Sequence, residues 1–179
     1  MKRTSATLLV LIGSALLFGL QAQTTDWIKY NSPEGRYSIL MPGEPKVSSQ
    51  EGTASTGEKF PQYLAASQDS SGAVCMVGYF DAVAGMTFSF DTGRDGMVKA
   101  VHGTLISEKP ITLGTYPGRA LKISATGGDA VEYIVYARFY QAGSRIYVVQ
   151  LIIAKSSDGP GADAKGSKYF DSFQITPPH

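Results

Sequence analysis

AVEYIVYARFYQAGSRIYVVQLIIA, residues Ala130 to Ala154, decides how this chain folds. Two runs rich in Val, Ile, Tyr and Phe flank Ala142-Gly143-Ser144. Such side chains fit a pleated, half-buried surface, and the glycine-containing triplet supplies a reversal, so the stretch predicts a β-hairpin. In the first arm Val131, Tyr133, Val135, Ala137 and Phe139 face one side. Glu132, Ile134, Tyr136, Arg138 and Tyr140 face the other. The second arm is apolar on both faces, with Ile146, Val148 and Ile152 opposing Tyr147, Val149, Leu151 and Ile153. A strand of that kind is covered on both sides, which places the hairpin in the middle of a sheet.

Further strands are expected at Asp26–Asn31, Arg36–Met41, Phe60–Ser67, Ala73–Ala82, Ile106–Leu113 and Tyr116–Ala125. Turn residues punctuate them: Ser32-Pro33-Glu34-Gly35, Pro42-Gly43-Glu44-Pro45 and Gln68-Asp69-Ser70-Ser71-Gly72. Pro110 marks its strand as an edge or bulged one, because proline cannot donate to a ladder. The polar segment Lys46–Lys59 holds an edge strand over Lys46–Gln50 and a loop over Glu51–Glu58. The first half of the chain therefore reads as an antiparallel meander. Phe90, Met97, Val98, Val101 and Leu105 fall close to a helical stripe and predict a helix over Asp91–His102, capped by Asp91 or Thr92. Its glycines weaken it, so docking on the sheet must hold it. A final helix is expected over Ala162–Asp171, with Asp158 as N-cap and Pro160 in the first turn, burying Tyr169 and Phe170. Phe173 and Ile175 follow at the sheet end.

The opening residues read as a signal peptide, 1–22. Lys2 and Arg3 form a basic start, Leu8–Leu20 is almost wholly apolar, and Leu20-Gln21-Ala22 offers a cleavage site before Gln23. The apolar run of roughly 13 residues is short of the ~20 a membrane-spanning helix needs; an uncleaved anchor is the alternative. No cysteine stands directly after it, which disfavours a lipoprotein. An exported chain, periplasmic or secreted, with no stable membrane span after cleavage, is expected. Residues 23–179 then form a single domain, expected to be monomeric and large enough to bury a core without disulfides. Removing Lys2 and Arg3 from the 16 basic residues leaves 14 against 15 acidic ones. That near-neutral balance argues against nucleic acid as a partner. Cys75, the one cysteine, sits inside AVCMVGYF and reads as a buried hydrophobe rather than a reactive thiol.

Several pieces stand in a fixed order: Trp27…Tyr30-x-Ser32-Pro33-Glu34-Gly35-x-Tyr37-Ser38-Ile39 with Met41-Pro42-Gly43-Glu44-Pro45; Gly114-x-x-Pro117-Gly118-Arg119; Arg138-x-Tyr140-x-x-Gly143-x-Arg145-x-Tyr147; and Phe170-Asp171-Ser172-Phe173. Their order and spacing, spanning nearly the whole mature chain, resemble small exported bacterial domains related to PsbP, the extrinsic subunit of photosystem II. The resemblance implies an α+β fold, an antiparallel sheet flanked by helices in an α/β/α sandwich. It implies a non-catalytic accessory or assembly role and supplies no metal or partner-binding residues to carry over. Nothing in the sequence supports photosynthesis, and fold does not dictate function.

Chemistry-bearing residues are sparse. His102 and His179 are the two histidines, and neither belongs to a metal-ligand pattern. His102 reads as a helix C-terminal residue near the dipole. Asp158, Asp163 and Asp171 do not form a calcium loop. No nucleophile elbow is present, and a hydrolase would have to use His102 or two of the carboxylates. Gly161-Ala162-Asp163-Ala164-Lys165-Gly166-Ser167-Lys168 opens a helix as a phosphate loop does, but its Gly-Ser-Lys order transposes the lysine and hydroxyl roles. Arg119, Arg138 and Arg145 are the polar residues to follow. Arg138 and Arg145 are expected near one hairpin end, as an anion or partner site or as solvated charges paired with Glu132 or Asp129. Trp27 and Tyr30 read as core and rim, although a Tyr-rich sheet face left uncovered would bind a ligand or partner. No catalytic, cofactor-binding or metal residue is assigned. The first reading is a non-catalytic exported accessory or protein-interaction module acting on an envelope or extracellular partner. The first alternative is a small-ligand carrier with a pocket between the Asp91–His102 helix and the sheet; the second is the hydrolase.

Overall fold

The computed structural model describes residues 27–54, 57–83, 86–128 and 130–177. The signal peptide and its cleavage site, Asp26, Asp129 and His179 lie outside them. The expected hairpin is present as β8 (Glu132–Ala142) and β9 (Arg145–Ala154), with Gly143 in the left-handed region at φ 65°. The register runs from Ala142↔Arg145 to Tyr133↔Ala154. β9 is the fourth strand of a seven-stranded antiparallel sheet. That sheet also holds β3 (Lys46–Thr53), β4 (Lys59–Gln68), β5 (Val74–Asp81), β6 (Thr104–Leu113) and β7 (Tyr116–Thr126), in the order β3-β4-β5-β9-β8-β7-β6. The doubly apolar strand thus takes the centre.

Each face carries its own core. On one, Val135, Ala137, Phe139, Ile146 and Val148 meet helix α1 (Phe90–Ala100), whose Met97 is fully buried. Gly93 sits where α1 comes closest to the sheet. A Cβ there would meet Phe88 at 3.1 Å and Phe139 at 3.3 Å, so the glycine that weakens the helix also lets it dock. On the other face lie helix α2 (Pro160–Phe170) and a small sheet of β1 (Trp27–Ser32), β2 (Tyr37–Pro42) and β10 (Gln174–Ile175). Tyr37, Tyr140, Tyr147 and Phe173 interlock there, with ring centroids 5.6–6.1 Å apart. The architecture is the expected α+β sandwich, helices flanking an antiparallel sheet.

Several local expectations need correction. β1 and β2 do not extend a single meander; the Pro42–Pro45 segment breaks the ladder and carries the chain to the far edge of the large sheet. β3 continues to Thr53, beyond the expected strand end at Gln50. Helix α1 is capped by Ser89, whose Oγ accepts from the Thr92 amide at 3.1 Å, not by Asp91 or Thr92. The chain leaves the helix before His102, which takes φ 48° in the following turn. Helix α2 starts behind Gly159 with no side-chain cap, because the Asp158 carboxylate is turned to Lys122 and Tyr136.

Candidate functional site

Three arginines were singled out, and the strands send them to separate places. Arg145, at the hairpin end of β9, donates through Nε and Nη2 to Asp81 at 2.8 and 2.6 Å, and through Nη1 to the Glu34 carbonyl at 2.6 Å. Its guanidinium lies 4.7 Å over the Tyr79 ring. That hydrogen bonding holds the Asp81 carboxyl below the usual carboxylate range. Arg138 lies on the same sheet face, four register steps away, stacked 4.6 Å over Phe170 and reaching Asp171 at 3.3 Å. Arg119 projects from the opposite face, against Phe90, Glu108 and Asp91. The expected joint site of Arg138 and Arg145 is therefore not formed, and Glu132 pairs with Lys155 at 2.8 Å instead of an arginine. Alternation along β7 explains Arg119: it follows Leu121 and Ile123 to the α1 face.

The Arg145 clamp frames a tyrosine-lined groove of about 220 Å³ between the small sheet and strands β3–β5. Tyr37 and Tyr79 form its floor, Tyr30 and Tyr63 its sides, with Pro33 and Val47 at the rim. Tyr63 stacks on Tyr79 with centroids 4.9 Å apart and planes 19° apart; Tyr30 and Tyr37 are 6.1 Å apart. Burial raises the hydroxyl pKa values of Tyr30, Tyr37 and Tyr79, so each keeps its proton at neutral pH. Val47 is 64% exposed and belongs to β3, the sheet edge beside the groove. The two edges of the large sheet differ. β6 carries Pro110 and a register shift between Leu105 and Ser107, both of which obstruct addition of a strand. β3 pairs with β4 without a break from Lys46 to Thr53, and its own residues include no proline.

A second concavity, a cleft of about 370 Å³, lies between α2 and the β6–β8 half of the same sheet face. Lys109, Ala120, Lys122, Tyr136 and Arg138 line its floor, and Ala162, Gly166 and Phe170 its wall. Lys122 donates to Asp158 at 2.8 Å, which holds the Asp158 carboxyl low.

No protein-family model matches the chain, and no curated protein sequence does. The solution structure of cyanobacterial PsbP (CyanoP) from Synechocystis sp. PCC 6803 is similar, with a TM-score of 0.60 over 88% of this chain and 95% of that one, at 14% identity. The chain has the PsbP-like fold. Two further structures align more loosely. One is a protein from Bacteroides thetaiotaomicron VPI-5482 (TM-score 0.48, 13% identity, 83% of this chain, 48% of that one). The other is PA94 from Pseudomonas aeruginosa, a protein of unknown function and putative regulator (TM-score 0.47, 10% identity, 86% and 98%).

In this PsbP-like chain the remaining candidates stand apart from both concavities. His102 is exposed beside Arg94, Asp95 and Lys99, in an open depression at the end of α1. Phe88, Met97, Val101 and Phe139 pack together at the α1–sheet contact, and the depression that α1 shares with Leu105 of β6 is an open one at its rim rather than an enclosed pocket. Cys75 is buried, and burial pushes its thiol pKa up, which makes it unreactive at neutral pH. Lys165, which a phosphate loop would need, is turned to Asp69 and to Ser71 at 2.7 Å. Among the described residues no group of three or more His, Cys, Asp or Glu side chains could hold a metal ion. No helix among them is long and apolar enough to cross a membrane.

The sequence reading placed Tyr30 at the rim and Tyr37 in a spaced motif, and singled out none of Tyr63, Tyr79 and Val47. The alternation of β4 and β5 places Tyr63 and Tyr79 on one face. What it lacked was the small sheet lying alongside them.

Proposed function

We propose that this chain is a non-catalytic, exported accessory module that binds a protein partner in the tyrosine-lined groove, the partner adding a strand to the edge of β3. The β3 edge, terminal in the described sheet, continuous in its pairing and without proline, lies beside four tyrosines and supports this reading. An added strand gains main-chain hydrogen bonds, and its alternate side chains reach the adjoining pocket. Tyrosine supplies a large apolar body with a polar tip at low conformational cost, which is why it is enriched in interfaces. Export to the periplasm or the exterior rests on the Lys2–Ala22 segment, and the module acts as a monomer between encounters.

A photo-crosslinking residue at Val47, in the protein expressed in its own cells, tests the reading. It is expected to trap one discrete envelope or extracellular protein, and Tyr63→Ala is expected to abolish the adduct. No adduct, or an adduct that persists in Tyr63→Ala and also forms from the Lys109 position, would remove the groove from consideration. Mass spectrometry of the same preparation should give a chain beginning at Gln23; a retained Met1 would contradict cleavage.

A further inference from the structure

We propose that the cleft beside α2 is a second binding site, for a small organic anion: a carboxylate or phosphate that carries an apolar group. The ladder register aligns Lys109, Ala120 and Arg138 in one row across three neighbouring strands. With strands about 4.8 Å apart, the two cationic residues flank a single methyl group at a backbone separation of roughly 10 Å. An anionic group over Ala120 is then within reach of both long side chains. The next row on that face brings Ser107, Lys122 and Tyr136 together.

The donors are available. Lys109 is exposed and makes no ion pair with any described residue. Arg138 reaches the Tyr140 hydroxyl and, at 3.3 Å, Asp171, a carboxylate that is itself 68% exposed, while its guanidinium lies 4.6 Å over the Phe170 ring and keeps donors to spare. A guanidinium fixed in this way keeps its remaining forked donors preorganised for a planar or tetrahedral oxyanion. Lys122 is committed to Asp158. The Glu108 carboxylate is held by Arg94 and Arg119. Asp163, in the first turn of α2, is the acidic group on the wall. Ala162, Gly166 and Phe170 present apolar surface on that wall, which favours an anion with an apolar body over a bare ion.

Titration of the purified protein with inorganic phosphate and with benzoate, followed by amide NMR shifts, tests this. At least one probe is expected to give saturable shifts confined to Ser107–Ile111, Ala120–Lys122 and Gly166–Phe170. A phosphate response alone assigns a phosphate ligand; a benzoate response alone assigns a carboxylate with an apolar body. Lys109→Gln and Arg138→Gln should each weaken binding about tenfold, as loss of a charge-assisted hydrogen bond does. Ala120→Leu keeps every charge but fills the floor, and should abolish binding. If Arg138→Gln fails to fold, Lys109→Gln on the exposed edge strand decides. Absence of shifts with both probes, shifts spread over all surface lysines and arginines, or wild-type binding by Lys109→Gln and Ala120→Leu would overturn the proposal. The lining of the groove and that of the cleft share no residue, so either proposal can fail alone.

Discussion

Replacing Arg145 by Ala should destabilise the protein by about 2 kcal/mol, and the reasoning is specific to how that side chain is held. Its side chain is 12% exposed, whereas that of Asp81 is 50% exposed. The ion pair is therefore half in water, and its share is nearer the ~1 kcal/mol of a good surface pair than the 3–5 of a broken buried one. The 2.6 Å bond to the Glu34 carbonyl ties β9 to the β1–β2 turn, and the guanidinium stacks 4.7 Å over the Tyr79 ring. Each adds roughly 0.5–1 kcal/mol. For a domain of this size about 2 kcal/mol lowers Tm by roughly 4–8 °C. Thermal unfolding of wild type, Arg145→Ala, Asp81→Ala and the double variant should yield an Arg145–Asp81 coupling of about 1 kcal/mol. Asp81→Ala alone should cost less than Arg145→Ala, since it leaves the carbonyl and ring contacts in place. An Arg145→Ala Tm within about a degree of wild type, or an Asp81→Ala loss exceeding it, would refute the clamp as described.

Acid should destabilise the protein through the carboxylates held low: Asp81 by Arg145, Asp158 by Lys122, and Asp69, where bonds from Lys165 and Ser71 outweigh the upward push of burial. A depressed folded-state pKa gives stability that is complete above the unfolded value near 4 and is lost as pH falls below it, so urea midpoints should be flat from about pH 7 to 5 and drop towards pH 3. Lys165→Met should flatten part of that drop. Tyr147→Phe removes a buried hydroxyl that donates to the Gly35 carbonyl at 2.8 Å and should cost about 1–2 kcal/mol by urea unfolding. A neutral result would mean that Gly35 finds another donor. Gly118→Ala places a Cβ 2.5 Å from the Phe139 carbonyl oxygen, against backbone that cannot yield cheaply, and should cost about 1–3 kcal/mol. Phe139→Ala empties the fully buried ring position under α1 and should cost about 3–5 kcal/mol.

Much of the fold was legible in the chain because it depends on local pattern. The double-sided apolarity of Ile146–Ile153 required a central strand, and Pro110 an edge or bulged one; β6 is at the edge and carries a register shift. The spaced motifs from Trp27 to Phe173 pointed to the PsbP-like sandwich. The helix caps were misplaced because Ser89, Asp91 and Thr92 are all competent caps, and a single intervening turn decides between them. Asp158 was misassigned for a related reason: a carboxylate near a helix start also serves a distant lysine, and Lys122 is brought to it only by sheet register.

Both candidate sites belong to the part that only tertiary structure decided. Alternation put Tyr63, Tyr79, Arg138 and Arg145 on one face but said nothing of what would cover it. The small sheet covers one half of that face incompletely and leaves the tyrosine groove; α2 covers the other and leaves the cleft. By itself the sequence determined the strands, their faces and the central hairpin, because the two-residue period of a strand binds side-chain direction to position. The tertiary structure decided which faces stay open and which charges meet, because those depend on contacts between residues that are distant along the chain.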